Sequence, residues 1–374
     1  MAGIYIHIPF CKTRCIYCDF FSSRSKDRKS AYVDALCREL ELRKNYLQGE
    51  KVLTIYFGGG TPSQLSPKDF DKIFTNLNQI SLSGFEVEIT LEANPDDITP
   101  RYLASLKDFP FNRISMGVQS FDDAELCFLN RRHTSQGAIH AIRLCQDSGF
   151  CNLSIDLMYG LPNQSMQMWE NTLFQAIDLN VRHISAYHLI YEEGTRLHAL
   201  LKENKIKPVD EDLSVKMFSR MIDVLESGGF EHYEISNFAK PGFISKHNSS
   251  YWNGTHYLGI GASAHSFNGK ARHWNVSDLD SYIAAINRDE LPLETEIIGE
   301  TEVYNDFILT RMRTMKGLDL NELEHLLGKE KKMYCLKQAR KHIDNQTVQI
   351  KDNYLRLTRK GIFISDGIMS DLFV

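Results

Sequence analysis

The feature that most constrains this chain is an alternation that runs from residue 2 to about residue 190. Short β-rich runs there take turns with amphipathic helical stretches. The predicted strands are Gly3–Ile8, Val52–Phe57, Phe85–Glu92, Arg113–Val118, Asn152–Leu157 and His183–Tyr187. Between them, Val33, Leu36, Cys37, Leu40 and Leu47 share one helical face, as do Ala138, Ala141, Ile142 and Cys145, and again Trp169, Leu173, Ala176 and Ile177. Strands alternating with helices pair in parallel through right-handed crossovers, so the class is α/β. Periodicity alone does not separate an open doubly wound sheet from a barrel. Nearly every polar or glycine-rich signal follows a strand, however, which is how barrels place a site at the C-terminal ends of their strands.

Past residue 190 the alternation stops, and three segments are expected. Residues 1–190 form the strand–helix body, 191–300 an irregular connecting region, and 301–374 a small terminal module. Within the middle segment, Glu231–His273 is rich in Gly, His, Asn and aromatics with little helical period. Irregular stretches of that length are usually functional or disordered, and the aromatic content argues against disorder. In the last segment, helical patterns flank two β-like runs, Thr347–Ile350 and Tyr354–Leu357, as in a small winged-helix-like α+β module. Such modules often bind DNA, but this one carries no strong basic stripe, so a structural or docking role is expected.

Bulk properties remove several function classes. A net charge of -5 supplies no general field for nucleic acid or anionic lipid. No apolar run approaches the roughly 18–20 residues that span a bilayer. The N-terminus has no basic region followed by a cleavable apolar segment, so a cytoplasmic chain with reduced thiols is expected.

Three of the eight cysteines fall within eight residues, as Cys11, Cys15 and Cys18. Three thiolates on one tight loop each take an iron of a [4Fe–4S] cubane and leave the fourth iron without a protein ligand. Structural zinc is the rival, but it wants four ligands, commonly as two Cys pairs, and no second pair is present. Lys12, Thr13 and Arg14 make the segment a polar loop rather than core. Cys37, Cys127, Cys145, Cys151 and Cys335 are scattered, and buried spectator roles are expected for them.

The segment YIHIPFCKTRCIYCDF resembles the radical S-adenosylmethionine (SAM) superfamily, in its branch of oxygen-independent coproporphyrinogen oxidases and HemW-type heme chaperones. GGGTP at Gly58–Pro62, LEANP, SMGVQSF, NRRH and DLMYGLP recur in the family's order, so the resemblance covers nearly the whole chain. It implies a partial (β/α)6 TIM-type barrel with a C-terminal extension, a [4Fe–4S] cluster and SAM on the open iron, and an electron donor.

The residues read separately point the same way. Gly58, Gly59 and Gly60 allow close approach of backbone to a ligand, although a glycine run alone is usually a turn. Glu92 closes the third strand, where a carboxylate accepts from ribose hydroxyls. Gln119, Arg131 and Asp156 are isolated polar residues at or just past strand ends. By the resemblance these three contact SAM, as do Tyr5, Gly59, Gly60 and Thr61. Tyr5 and His7 also suit a barrel interior.

Two features separate the oxidase branch from the chaperones. The oxidases carry a further cysteine two residues past the third, and an extension ahead of the cluster. Here Asp19-Phe20 follows Cys18 and the chain begins ten residues before Cys11. His247-Asn248-Ser249-Ser250-Tyr251-Trp252 matches the chaperones' HNxxYW motif. An imidazole is a good axial ligand for heme iron, and Tyr251 and Trp252 offer stackable surface. The bland alternative is a loop histidine beside packed aromatics. The resemblance therefore implies a chaperone that binds heme at His247, within the 191–300 region, and passes it to acceptor proteins. The alternative is a radical SAM enzyme acting on a porphyrinogen. No catalytic residue is assigned, and coproporphyrinogen oxidation is not expected.

Overall fold

Residues 1–78, 80 and 87–374 are described by the structure, a computed structural model. Its centre is a parallel array of six strands paired in chain order: β1 (Ala2–Ile8), β2 (Val52–Gly59), β3 (Glu88–Ala93), β4 (Arg113–Gln119), β5 (Leu153–Tyr159) and β6 (His183–His188). Alternation along β1 shows how the array is filled. Ile4, Ile6 and Ile8 are fully buried in the hydrophobic core, while Tyr5 and His7, on the opposite face, meet aromatic rings. The crossover helices begin at hydroxyl caps. Ser66, Thr99, Thr134 and Ser165 each accept a backbone amide of the first turn, which satisfies an otherwise orphan donor.

All six expected barrel strands are present, with ends displaced by a few residues. In β3 the expected start, Phe85 and Glu86, lies outside the described residues, and the strand begins at Glu88. Leu47, placed on the first helical face, lies beyond that helix, which ends at Leu42.

The expectation of an irregular 191–300 segment is corrected. Most of it is regular, and its strands extend the barrel sheet at both edges. On one side β7 (Glu231–Glu234) and β8 (Asn237–Ala239) add antiparallel to β6. On the other, β9 (His256–Ile260) pairs parallel with β1, followed by antiparallel β10 (His265–Phe267), β11 (Ala271–Asn275) and β12 (Leu293–Ile297). The result is one twelve-stranded sheet, in the order β12-β11-β10-β9-β1-β2-β3-β4-β5-β6-β8-β7. The HNxxYW residues themselves form a helix, Lys246–Trp252, capped by Ser245.

A buried ion pair fastens this extension. Glu39 and Arg43, both in or next to the helix Lys29–Leu42, are 0% and 2% exposed and lie 3.0 Å apart. Glu39 accepts from Gly261 N, Asn275 Nδ2 and Tyr282 Oη, while Arg43 donates to Gly259 O and Ser266 Oγ. Nearly every polar atom of the pair is thus answered from the segment that carries β9 to β11.

The terminal module is a small antiparallel sheet, β13 (Leu318–Asp319), β14 (Val348–Lys351) and β15 (Tyr354–Leu357), in the order β13-β15-β14. Helices Glu300–Met312, Leu320–Asp344 (interrupted at Gly328) and Ser365–Leu372 pack around it. Its apolar side chains join the barrel's own core cluster, which runs from Ala2 to Leu372. Among the described residues no helix is long and apolar enough to cross a membrane.

Candidate cluster and cofactor site

At the C-terminal ends of the parallel strands a cavity of about 490 Å³ opens. Cys11, Cys15 and Cys18 line it, as do Gly59, Gly60, Thr61, Glu92, Gln119 and Asp156 in or next to those strands and Arg131 from the loop beyond the helix Asp123–Phe128. Ten of the twelve residues singled out from sequence therefore meet in one place. Tyr5 and His247 do not line it.

The cysteine loop is moored by apolar anchors and main-chain bonds. Ile16 and Tyr17 pack on a satellite cluster of Leu129, Met158, Leu161, Leu189 and Leu197. Ile16 N donates to Leu129 O and Leu197 N to Ile16 O, while Asn130 Nδ2 holds Arg14 O at 2.9 Å. Arg131 donates to Cys15 Sγ at 3.3 Å, and Cys11 Sγ lies 3.4 Å from Thr61 Oγ1. Burial pushes the Cys18 thiol up to about 11 and raises that of Cys11, so metal binding there displaces protons. Of the other cysteines, Cys145 and Cys335 are buried and Cys37 is half-buried, but Cys127 and Cys151 are exposed, against expectation.

The glycines do more than expose backbone. Gly59 has φ +108°, and a Cβ on it would sit 2.6 Å from the His7 ring; one on Gly60 would meet the Pro9 carbonyl at 2.7 Å. Side chains at either position would push the loop off β1. Gln119 takes φ +71° without being glycine, next to a register shift between β4 and β5. Such local strain, of order 1–3 kcal/mol, clusters at ligand sites.

Charge at the strand ends is mixed and dehydrated. Burial, reinforced by the nearby Asp156 carboxylate, raises Glu92 to about 8, against the hydrogen bonds it accepts from Tyr56 Oη (2.7 Å) and Gly59 N (3.2 Å). Asp156 rises to about 6, again by burial, which Ser185, Arg113, Arg131 and Ser115 oppose. Two strained carboxyls beside a guanidinium suit a ligand that carries both signs and sugar hydroxyls.

Comparison with known proteins decides the family. Residues 5–176 match the Radical SAM superfamily and residues 298–364 the HemN C-terminal domain. Over 366 residues the chain is 31% identical to a heme chaperone HemW of Lactococcus lactis, covering 97% of this chain and 95% of that protein. The chain belongs to the HemW family of radical SAM proteins. A HemW of Bacillus subtilis is 34% identical over 321 residues, 84% of each chain. In fold the chain is similar to the coproporphyrinogen III oxidase HemN of Escherichia coli, with a TM-score of 0.86 at 23% identity over 100% of this chain and 90% of that one.

A radical SAM scaffold implies a [4Fe–4S] cluster and SAM, and the donor set fits both. Three thiols on one loop line the cavity, together with the carboxyls, guanidinium and glycine backbone that suit a zwitterionic nucleoside. Sequence reasoning missed Asn94, which bridges Arg131 (2.6 Å) and Thr61 Oγ1 (3.2 Å). It stands two residues past Glu92 in LEANP, and a period of two would have flagged it.

His247 of the HemW motif is elsewhere. Its ring is 1% exposed, with Nδ1 2.8 Å from Thr54 Oγ1 and Nε2 3.0 Å from Tyr251 Oη. It stacks on Tyr56, with centroids 4.9 Å apart. Trp252 is half-buried beneath the Arg313 guanidinium. In this conformation both ring nitrogens of His247 already have partners, and Tyr251 and Trp252, from which stackable surface was expected, are half-buried.

Proposed function

We propose that this chain is a heme chaperone that binds heme and hands it to acceptor proteins. Its radical SAM barrel holds a [4Fe–4S] cluster through Cys11, Cys15 and Cys18. The observation that carries the reading is the near end-to-end similarity to heme chaperones, 97% of this chain on 95% of a relative. SAM lies in the cavity, with Glu92 toward ribose hydroxyls, Asp156, Gln119 and Arg131 around it, and the Gly59–Thr61 backbone beside its amino-acid end. Tyr5 acts from the layer beneath. When bound, the cluster supplies an electron to the SAM sulfonium. A separate protein donates that electron, and the cytoplasm, where thiols stay reduced, is the fitting compartment. His247 is the candidate axial ligand, which requires its ring to leave Thr54 and Tyr251.

The deciding experiment is anaerobic reconstitution followed by heme, then by an apo heme protein as acceptor. Heme should bind and then move to the acceptor. Absence of any Soret change on titration overturns the proposal. A parallel arm supplies coproporphyrinogen III, SAM and reductant; with Asp19-Phe20 after Cys18, no protoporphyrinogen IX should form at a meaningful rate. Robust product would install the oxidase reading instead.

His247→Ala should shift the Soret band and weaken heme retention without unfolding the chain, because an axial ligand is lost while macrocycle contacts persist. His265→Ala is the control, since that ring is exposed and stacks on Trp274 outside the motif. A wild-type spectrum and affinity in His247→Ala would reject the ligand assignment.

A further inference from the structure

The HNxxYW helix and the cofactor cavity are separate in sequence, yet one column of side chains joins them through the barrel. Thr54 pairs with Glu88, and Gly3 with Thr54, at the level nearest the N-terminal strand ends. Tyr5 and Tyr56 pair one layer above, and His7 and Gly58 one layer above that. With a period of two, Thr54, Tyr56 and Gly58 share one face of β2, as Glu88 and Glu92 share one face of β3.

The lowest layer is a built seat for the helix Lys246–Trp252. Glu88 accepts from Lys246 N (3.1 Å) and His247 N (3.0 Å), and Thr54 and Tyr251 take the two imidazole nitrogens. The absent side chain of Gly3 makes room for the seat's hydroxyl, since a Cβ there would lie 2.8 Å from Thr54 Oγ1. Tyr56 then spans the next gap. Its ring lies nearly parallel on His247 (22°), and its hydroxyl donates to Glu92 Oε1. A Cβ on Gly58 would meet Tyr56 at 2.8 Å and Glu92 at 3.1 Å, so the glycine leaves space for both.

We propose that the helix Lys246–Trp252 is the floor of the SAM site: by seating Tyr56 it fixes Glu92, so that drawing His247 out to ligate iron weakens SAM binding. Tyr56 and His247 are then positioning residues for Glu92 as well as whatever His247 does for heme. The coupling is reciprocal, because two ligands linked through one two-position element change each other's affinity by the same factor. SAM binding therefore favours the seated helix and lowers heme affinity, which makes SAM a release signal. This rests on the readings of Glu92 as a SAM contact and His247 as a heme ligand.

The test measures SAM affinity by equilibrium dialysis on cluster-loaded protein, with iron content and melting temperature alongside. Tyr56→Phe keeps the ring and removes the hydroxyl; Thr54→Val and Glu88→Gln loosen the seat without touching the cavity. Each should weaken SAM binding about five- to tenfold at unchanged iron content. Wild-type SAM affinity in Tyr56→Phe and in either seat variant overturns the floor. Glu92→Ala separates the two readings, because an unchanged affinity there removes Glu92 from the SAM site itself. Heme-loaded wild type should bind SAM more weakly than heme-free protein, and heme should make no difference in His247→Ala. Equal SAM affinity with and without bound heme overturns the coupling, whereas failure to take up heme at all overturns the chaperone reading and leaves the variants to decide the floor.

Discussion

Cys11→Ala, Cys15→Ala or Cys18→Ala should each abolish a reconstituted [4Fe–4S] cluster, while Cys37→Ala and Cys145→Ala should leave iron and sulfide at the wild-type level. The asymmetry follows from placement. The first three thiols line the cavity wall on one moored loop, and the other two lie in or against the hydrophobic core. A cubane with three protein thiolates has no spare ligand, so loss of one leaves two irons open to solvent and oxygen. Wild-type cluster should be oxygen-sensitive, and its EPR spectrum should change when SAM is added. A triple Cys11/Cys15/Cys18→Ala variant that still carried a full cluster would end the assignment.

The second large effect concerns stability. Glu39→Ala should destabilise the fold by about 3–5 kcal/mol, because it strands the Arg43 guanidinium in a buried site. The same change removes the acceptor of Tyr282 Oη and of Gly261 N. Glu39→Gln keeps an acceptor and should cost less. Urea unfolding of the two variants checks this, and a loss under about 1 kcal/mol for Glu39→Ala would show that the pair is not what holds β9 to β11 on the barrel.

What could be read in the sequence follows physical range. The barrel strands were legible because they are β-rich runs, most of them followed by a motif, as in TIYFGGGTP and ITLEANP. Of the ten cavity residues, the cysteines were legible from their spacing, Glu92 from its place at the end of a strand, and the other six from motifs shared with the family. Strands β7 to β12 were not, because they are runs of only three to five residues, and the pairs that join them to the barrel are distant in sequence: β9 pairs with β1, and β8 with β6. No local period encodes such pairing. His247 shows the limit most clearly. Its motif was visible, but its burial depends on Gly3, Thr54, Glu88 and Tyr56, which lie on three other strands and carry no mark of that role in sequence.

The parallel pairing of β9 with β1 also has a consequence for how the chain is made. Roughly 250 residues separate the two strands, so at about 5–20 residues per second a ribosome delivers β9 some 12 to 50 s after β1. During that interval one edge of β1, a strand of Ala, Gly, Ile, Tyr and His without a single permanent charge, has no strand to cover it. Such an edge is a template for other nascent chains. Yield of intact protein should therefore depend on the pace of translation and on chaperones that shield the first strand until the sheet closes over it.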